Sequence, residues 1–250
     1  TIDFSKELVE LGFKVLWGEN SENKSKQPDE VSIVANFSNY INSFLPNRKN
    51  IVVTLGSTIT YLDDIRYVKN TSTGKTGNEI ASRLHRWGHE VTIVSGQTSH
   101  TNDFEMPLII QSHDPDEMLL ELKALTKCSV DVWIHAAAVL DYTNTGKVTG
   151  KLPSGEDSIS FTLSRSLKHL DELKDEVSGS FRIGFKLESN IKLKELISKA
   201  TSFVERNELN AVIANRLEDL SNPNKPRAHL IDSLGEHWAL QDTNAIAKAI

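Results

Sequence analysis

Between Asn50 and Gly96 the chain runs through a short apolar, β-branched stretch, IVVTL, then a long polar connection, an amphipathic segment, TGNEIASRLHRWG, and a second apolar stretch, HEVTIVSG. In the amphipathic segment Ile80, Leu84 and Trp87 recur on one helical side and Gly88 closes it. Strand, loop, helix, strand is a βαβ crossover, and the parallel pair it creates needs cover on both faces.

The rhythm continues. PLIIQS reads as a third strand, DPDEMLLELKALTK as a helix, and VDVWIHAAAVLDY as a fourth strand ending at a loop. FRIGFKL, the helical ELISKATSFVERNEL and NAVIANRL follow, then a terminal hairpin, AHLIDSLGEHWAL, and a closing helix, DTNAIAKAI. The expected fold is α/β: a Rossmann-like, mostly parallel sheet with helices on both faces and a short terminal hairpin. In such a sheet the site lies beyond the carboxyl ends of the strands. TLGST, SG, AAAVLDY and AN all fall there.

Residues 1–48 read differently. FSKELVELGFKVLW is expected to form a short helix running into a short strand, broken at Gly12, and GENSENKSKQPDE a polar loop. VSIVANFSNYINSFLP then places Ile33, Val34, Phe37, Tyr40, Ile41 and Phe44 on one face of a helix that ends before Pro46. The expected division is an N-terminal appendage over 1–48 and the main domain over 49–250.

Composition excludes several functions. One cysteine, Cys128, allows no internal disulfide and no thiolate zinc site, which fits a reducing compartment. The net charge is -6 and the lysines are scattered among 34 acidic residues, so extended nucleic-acid contact is disfavoured. A few local cations can still dominate one cleft and take a small anion. No apolar run reaches membrane-spanning length and no leader pattern opens the chain, so the expected location is the cytosol, with neither membrane nor nucleic acid as partner.

The glycine-bearing connection narrows the chemistry. A redox dinucleotide fingerprint wants GxGxxG directly after the first strand and an acid at the end of the second. Here Gly56 is followed only much later by Gly74 and Gly77, and the second strand ends in Val94, Ser95 and Gly96. The GKT at Gly74–Thr76 lacks the upstream glycine of a Walker loop. What remains is an anion site in which Thr71, Ser72, Thr73 and free helix amides cradle a phosphate. The competing reading is that Ser72 or Thr76 simply caps the helix. The length of the connection, against about two to six residues for an ordinary βα loop, favours function.

TLGSTITYLDDIRYVKNTSTGKTG resembles the signature of phosphopantothenoylcysteine synthetase, the ligase half of the bifunctional coenzyme A biosynthesis flavoprotein family. Asp63 and Arg66 take the Asp and Arg places of its Ile-Asp-x-Val-Arg segment, and Asn70, Ser72, Thr73 and Gly74 those of its Asn-x-Ser-Ser-Gly motif. The family's paired glycine is Gly56 with Ser57, and its following glutamate is Thr60. HAAAVLDYTNTGKVTGKLPSGEDS resembles the Ala-Ala-Val-x-Asp-Tyr segment and lysine-bearing flap, with Ala137, Asp141 and Lys151 at the matching positions. IGFKLESN and VIAN are similar to the last two family motifs, placing Phe185, Glu188 and Asn215, and the intervening helix offers Lys199 and Arg206 toward a triphosphate. Taken singly, Lys147 and Lys151 read as solvent-facing loop residues, Asp141 as a turn residue and Phe185 as core. Their order along the chain joins them.

The resemblance implies that 4'-phosphopantothenate is joined to L-cysteine through an acyl nucleotidylate, with CTP, or ATP as in eukaryotic members, as cosubstrate together with Mg2+. It implies Asn70 and Lys151 as catalytic residues, Asn70 and Arg66 as substrate contacts, and Gly56, Ser57, Ser72, Thr73, Gly74, Ala137, Asp141, Phe185, Arg206 and Asn215 as nucleotide contacts, with no protein metal ligand. It further implies a homodimer and association with a separate flavin-dependent decarboxylase, whose final portion residues 1–48 resemble. Two other readings stand beside it. One is a non-catalytic or regulatory homologue on the same scaffold, and the other is a short-chain-type NAD(P) oxidoreductase. The latter would use a Tyr-x-x-x-Lys pair, and Lys147 lies one place late after Tyr142.

Overall fold

The computed structural model describes residues 2–16, 20–21, 24–25, 27–100, 102–104, 106–155 and 157–250 of the chain. In chain order the elements are α1 (Ile2–Glu10), β1 (Asn20–Ser21), β2 (Lys24–Ser25), α2 (Glu30–Asn42), β3 (Asn50–Leu55), β4 (Ile59–Tyr61) and β5 (Tyr67–Lys69). Next come α3 (Lys75–Arg86), β6 (Glu90–Ser95), β7 (Ile109–Gln111), α4 (Pro115–Leu125), β8 (Val132–His135), β9 (Tyr142–Asn144) and β10 (Leu163–Arg165). The chain closes with α5 (His169–Leu173), β11 (Phe181–Glu188), α6 (Leu193–Asn207), β12 (Ala211–Arg216), a 3-10 turn at Leu217–Asp219, β13 (Ala228–Asp232), β14 (His237–Leu240) and α7 (Thr243–Ala249).

Eight strands make one sheet in the order β14-β13-β12-β11-β8-β3-β6-β7. The six strands from β12 to β7 run parallel, and β13 and β14 return antiparallel as the expected hairpin. The chain winds outward from β3 through β6 to β7, then restarts at β8 on the other side of β3. That reversal opens a crevice between the carboxyl ends of β3 and β8.

Alternation along the strands builds the two layers. Ile51, Val53 and Leu55 of β3 join Ile80, Ala81 and Leu84 of α3 and Ile246 of α7 on one face. Val52 and Trp133 meet Met118 and Leu122 of α4 and Leu173 of α5 on the other, where α6 also packs through Leu196, Ala200 and Val204.

Three features depart from the expectations and one goes beyond them. Phe13–Leu16 form no strand after Gly12; the next residue, Trp17, lies outside the described residues. The polar connection after β3 folds its ends into an antiparallel pair, β4 with β5, and the flap springs from a second such pair, β9 with β10. The segment expected as a plain loop contains the two-residue pair β1 with β2. Finally, α2 does not dock by its apolar stripe: Phe37, Ile41 and Phe44 are exposed, while Ala35 is buried. The helix is held by amides instead. Asn39 Nδ2 donates to the carbonyls of His85 (2.7 Å) and His89 (3.1 Å), and Asn42 Nδ2 to that of Arg86 (2.7 Å). Of these carbonyls, that of Arg86 belongs to the last turn of α3, which leaves it without an intrahelical partner, while that of His85 also accepts from Gly88 N at 2.9 Å.

Candidate functional site

The segment after β3 is tied into the crown of the sheet. Ser57 N donates to Gln97 O at 2.9 Å, Thr58 N to Ala138 O at 3.3 Å, and Ala138 N to Gly56 O at 2.8 Å. Gly56 has φ +78°, and a Cβ there would stand 2.7 Å from Gln97 O, so neither backbone nor space admits another residue. Ser57 is fully buried with its Oγ unpartnered. At the start of α3 the N-cap is Gly74, at φ +77° and without a capping side chain. Gly74 N approaches Ser72 Oγ and Lys75 N approaches Thr73 Oγ1, each at 3.4 Å. Both hydroxyls thus lie over the first amides of α3, at the helix end where an anion would bind.

Asn70 reaches across to the exit of β8. Its Nδ2 donates to the carbonyls of Ala138 (3.1 Å) and Val139 (3.4 Å). Thr60 is buried, and its Oγ1 accepts from Asn144 N at 2.8 Å, so it joins the β4 and β9 pairs.

Two adjacent aspartates hold the flap. The carboxylate of Asp63, fully buried, accepts from the amides of Ile65 (2.8 Å) and Arg66 (2.6 Å), from Arg66 Nη1 (3.0 Å), and from the amide of Leu152 (3.0 Å). Asp64 accepts from Gly150 N at 2.7 Å and pairs with Lys147 at 2.8 Å. The Leu152 amide, followed by those of Arg66 and Ile65, holds the Asp63 carboxyl down at about 2, from an ordinary 3.8. Lys147 and then the Gly150 amide lower Asp64, and Asp64 in turn raises Lys147. Exposed Lys151 therefore sits between two residues whose amides are bound by carboxylates. Arg66 is engaged in this loop: its guanidinium meets Asp63 and, at 3.4 Å, the carbonyl of Leu152.

A cavity of about 560 Å³ opens at the carboxyl ends of β3, β8 and β11, beside the crevice. Thr54, His135 and Ala137 contribute strand-end walls, Phe185 and Lys186 come from β11, and Phe203, Arg206 and Asn207 from α6. Arg165, Lys168, Lys186 and Arg206 bring four cations, against Asp141 and Asp171. Such a balance favours an anion. Lys168 is ion-paired with exposed Asp141. Lys186 and Arg206 stand 5.6 and 5.9 Å from the Phe203 ring centroid. Lys186 also pairs with Glu188 at 2.9 Å, and Lys199 with the same carboxylate at 3.2 Å; hydrogen bonding from Lys186, then from Lys199, lowers the Glu188 carboxyl.

Both histidines of the wall are neutral near pH 7. Burial, reinforced by the charge of Arg182, pushes His135 down to about 3. Burial also lowers His169, whose Nε2 lies 2.9 Å from Pro115 O.

Of the residues singled out in the sequence, the cavity gathers Ala137, Asp141, Phe185 and Arg206. Gly56, Ser57, Ser72, Thr73 and Gly74 lie along the β3–α3 connection, Arg66 and Lys151 at the flap clamp, and Asn215 on β12 opposite Leu187 of β11. These are outside the cavity lining. Sequence reasoning missed His135, Lys168, His169, Lys186 and Asn207. The first carried a legible signal, a polar residue inside the apolar run VWIHAAAV. A groove of about 570 Å³ between α3 and α7 gathers none of the resembling residues except the neighbouring Lys75. Among the described residues no three His, Cys, Asp or Glu side chains converge as a metal cage, and no helix is long and apolar enough to cross a membrane.

Residues 47–250 match the family described as the DNA/pantothenate metabolism flavoprotein C-terminal domain. The coenzyme A biosynthesis bifunctional protein CoaBC of Thermococcus kodakarensis is 31% identical over 214 residues, covering 85% of this chain and 52% of that protein. The chain spans about half the length of the curated relatives it matches. The crystal structure of the C-terminal domain of a coenzyme A biosynthesis bifunctional protein CoaBC superposes with a TM-score of 0.66 at 25% identity, covering 83% of this chain and 93% of that one. A DNA/pantothenate metabolism flavoprotein from Streptococcus pneumoniae shares the fold with a TM-score of 0.72 at 23% identity, covering 80% of this chain and 96% of that one. The match over residues 47–250 makes this chain a member of the DNA/pantothenate metabolism flavoprotein C-terminal domain family.

Proposed function

We propose that the chain ligates 4'-phosphopantothenate to L-cysteine, consuming CTP. The observation that carries this reading is the cation-rimmed cavity at the carboxyl ends of the parallel strands, where Ala137, Asp141, Phe185 and Arg206 converge in a chain of this family. The names of its relatives, coenzyme A biosynthesis bifunctional proteins, agree with it.

A carboxylate is a poor acyl donor, so it must first gain a leaving group. In the proposed reaction a carboxylate oxygen of 4'-phosphopantothenate attacks the α-phosphorus of CTP and pyrophosphate departs. The cysteine amine then attacks the acyl carbon, losing a proton, and CMP leaves with the former carboxylate oxygen. Lys151, on its clamped flap, would stabilise charge developing on the phosphates. Asn70, anchored at Ala138 and Val139, would hold the acyl intermediate, with Arg66 ordering the loop between them. Asp141, Phe185, Arg206 and Asn215 would position the nucleotide, and the residues from Gly56 to Gly74 would border its phosphates. Magnesium bound to the triphosphate would offset the charge of departing pyrophosphate. Such an ion takes its oxygens mainly from phosphate and water, which suits a site whose protein carboxylates are few.

The same reading takes the active form as a homodimer in the cytosol, working with a flavin-dependent decarboxylase, with residues 1–48 as the appendage nearest that activity and 49–250 as the ligase domain. Against the oxidoreductase alternative stands Lys147, which is paired with Asp64 rather than with Tyr142.

The test is pyrophosphate release with magnesium, 4'-phosphopantothenate and either CTP or ATP, with and without cysteine. Release that depends on the pantothenate substrate, together with the coupled product by mass, is expected with CTP. A folded protein that binds a nucleotide and releases nothing would point to the non-catalytic homologue.

A further inference from the structure

His135 is the last residue of β8 and part of the cavity wall, yet it is nine-tenths buried. Its Nε2 has no hydrogen-bond partner. The ring stacks on Trp133 at 6.2 Å between centroids, with 11° between planes. On the neighbouring strand its register partner is Gly184, which presents no side chain to pair with it. An unpartnered polar atom in such a place costs stability, and an apolar residue of the same shape would not incur that cost.

The surroundings select the ligand group. The strand-end wall around His135 carries Ala137 and Phe185, whereas Arg165, Lys168, Lys186 and Arg206 supply the positive charge. A ligand with a flat, uncharged heterocycle and an anionic tail would set the heterocycle against the strand ends and the tail among the cations. A neutral imidazole offers one donor and one acceptor, matching the edge of a heterocycle rather than a phosphate. Arg182, the buried cation beside His135, is itself taken up by the carbonyls of Asn207 (3.1 Å) and Leu170 (3.2 Å).

We infer that His135 is a specificity-determining residue that hydrogen-bonds the base of the nucleotide seated in this cavity. The inference rests on the proposed ligase reading for the identity of the ligand, and its test separates the two. Binding of CTP and of ATP to the full chain is measured by calorimetry for wild type, His135→Phe and His135→Gln. His135→Phe keeps a ring against Trp133 and removes both nitrogens; it should weaken binding of the preferred nucleotide by about tenfold, the worth of one neutral hydrogen bond. Its thermal midpoint should be unchanged or higher, a combination that a purely structural histidine would not give. His135→Gln, which restores a donor and an acceptor, should regain part of the affinity. The imidazole 15N resonances of His135 should move on saturation with nucleotide. Unchanged affinity in folded His135→Phe, or resonances that stay in place, would overturn the inference and leave a trapped water as the partner of Nε2. Product formation by wild type with unaltered His135→Phe affinity removes His135 and keeps the ligase. Nucleotide binding through His135 without product does the reverse, and a wild type that binds neither nucleotide overturns both.

Discussion

The carboxylate of Asp63 and the amide of Leu152, 89 residues apart in sequence, are joined by a 3.0 Å hydrogen bond. It fixes the far end of the flap to the loop between β4 and β5, and Asp64 fixes the near end through Gly150 and Lys147. Lys151 lies between the two anchors. The consequence is a lysine whose backbone is placed by two carboxylates while its side chain remains exposed.

Replacing Asp63 with Asn leaves one acceptor oxygen where four donors converge, and turns an amide NH2 toward two of them. Asp63→Asn should lower kcat while leaving the KM for nucleotide within a few-fold, and Leu152 should lose amide-exchange protection. Because the folded carboxyl titrates near 2, below its ordinary 3.8, the clamp is fully present above about pH 4 and is lost as pH falls through 2. Exchange at Leu152, corrected for intrinsic rate, should therefore stay slow down to pH 4.

Lys151→Gln keeps the length of the flap side chain and removes its charge. If the ammonium stabilises charge in the transition state, pyrophosphate release should fall by about 100-fold or more. Thermal stability should not change, since the exposed side chain holds no ion pair among the described residues.

The buried histidine of the cavity wall makes stability depend on pH. The folded value of His135 lies near 3, below the 6.5 of a free imidazole, so the unfolded chain takes up the proton first. Its contribution is fully present above about pH 6.5 and declines as pH falls toward 3, by about 1.4 kcal/mol per pH unit inside that window. Urea titrations at pH 7, 6 and 5 should show the decline, and His135→Phe should make it shallower, the remainder coming from other buried histidines such as His85, which burial pushes down to about 4.

Asn39 and Asn42 fasten α2 to the carboxyl end of α3. Asn39→Ala removes two hydrogen bonds to the carbonyls of His85 and His89 and should destabilise the fold by about 1–2 kcal/mol. Removing residues 1–46 should cost more, because α2 also contributes Ala35 to the core. Denaturation midpoints of the two variants against wild type check both statements.

The sheet was legible because its strands are short apolar runs separated by long amphipathic helices. IVVTL, HEVTIVSG and NAVIANRL leave little choice of period. The hairpin pairs were not legible: ITY and YVK are three residues each, too short for alternation to rise above chance. Phe13–Leu16 has a strand's composition, but composition alone does not supply a pairing partner. The apolar spacing located α2, but which side of it faces α3 is set by tertiary amide contacts and not by that spacing. At the site, motif order picked out Ala137, Asp141 and Phe185, and the helix before the last motif offered Lys199 and Arg206; the fold brings the first three and Arg206 to one cavity. The flap clamp depends on contacts between residues 63–66 and 147–152, a separation over which no local pattern operates.

The proposed chemistry is tested most directly by isotope transfer. With 4'-phosphopantothenate labelled with 18O in its carboxylate, together with CTP, cysteine and magnesium, attack at the α-phosphorus predicts CMP carrying one 18O atom, with none in pyrophosphate. Label appearing in inorganic phosphate with release of CDP would mean an acyl phosphate instead, and unlabelled CMP alongside coupled product would contradict the acyl nucleotidylate altogether.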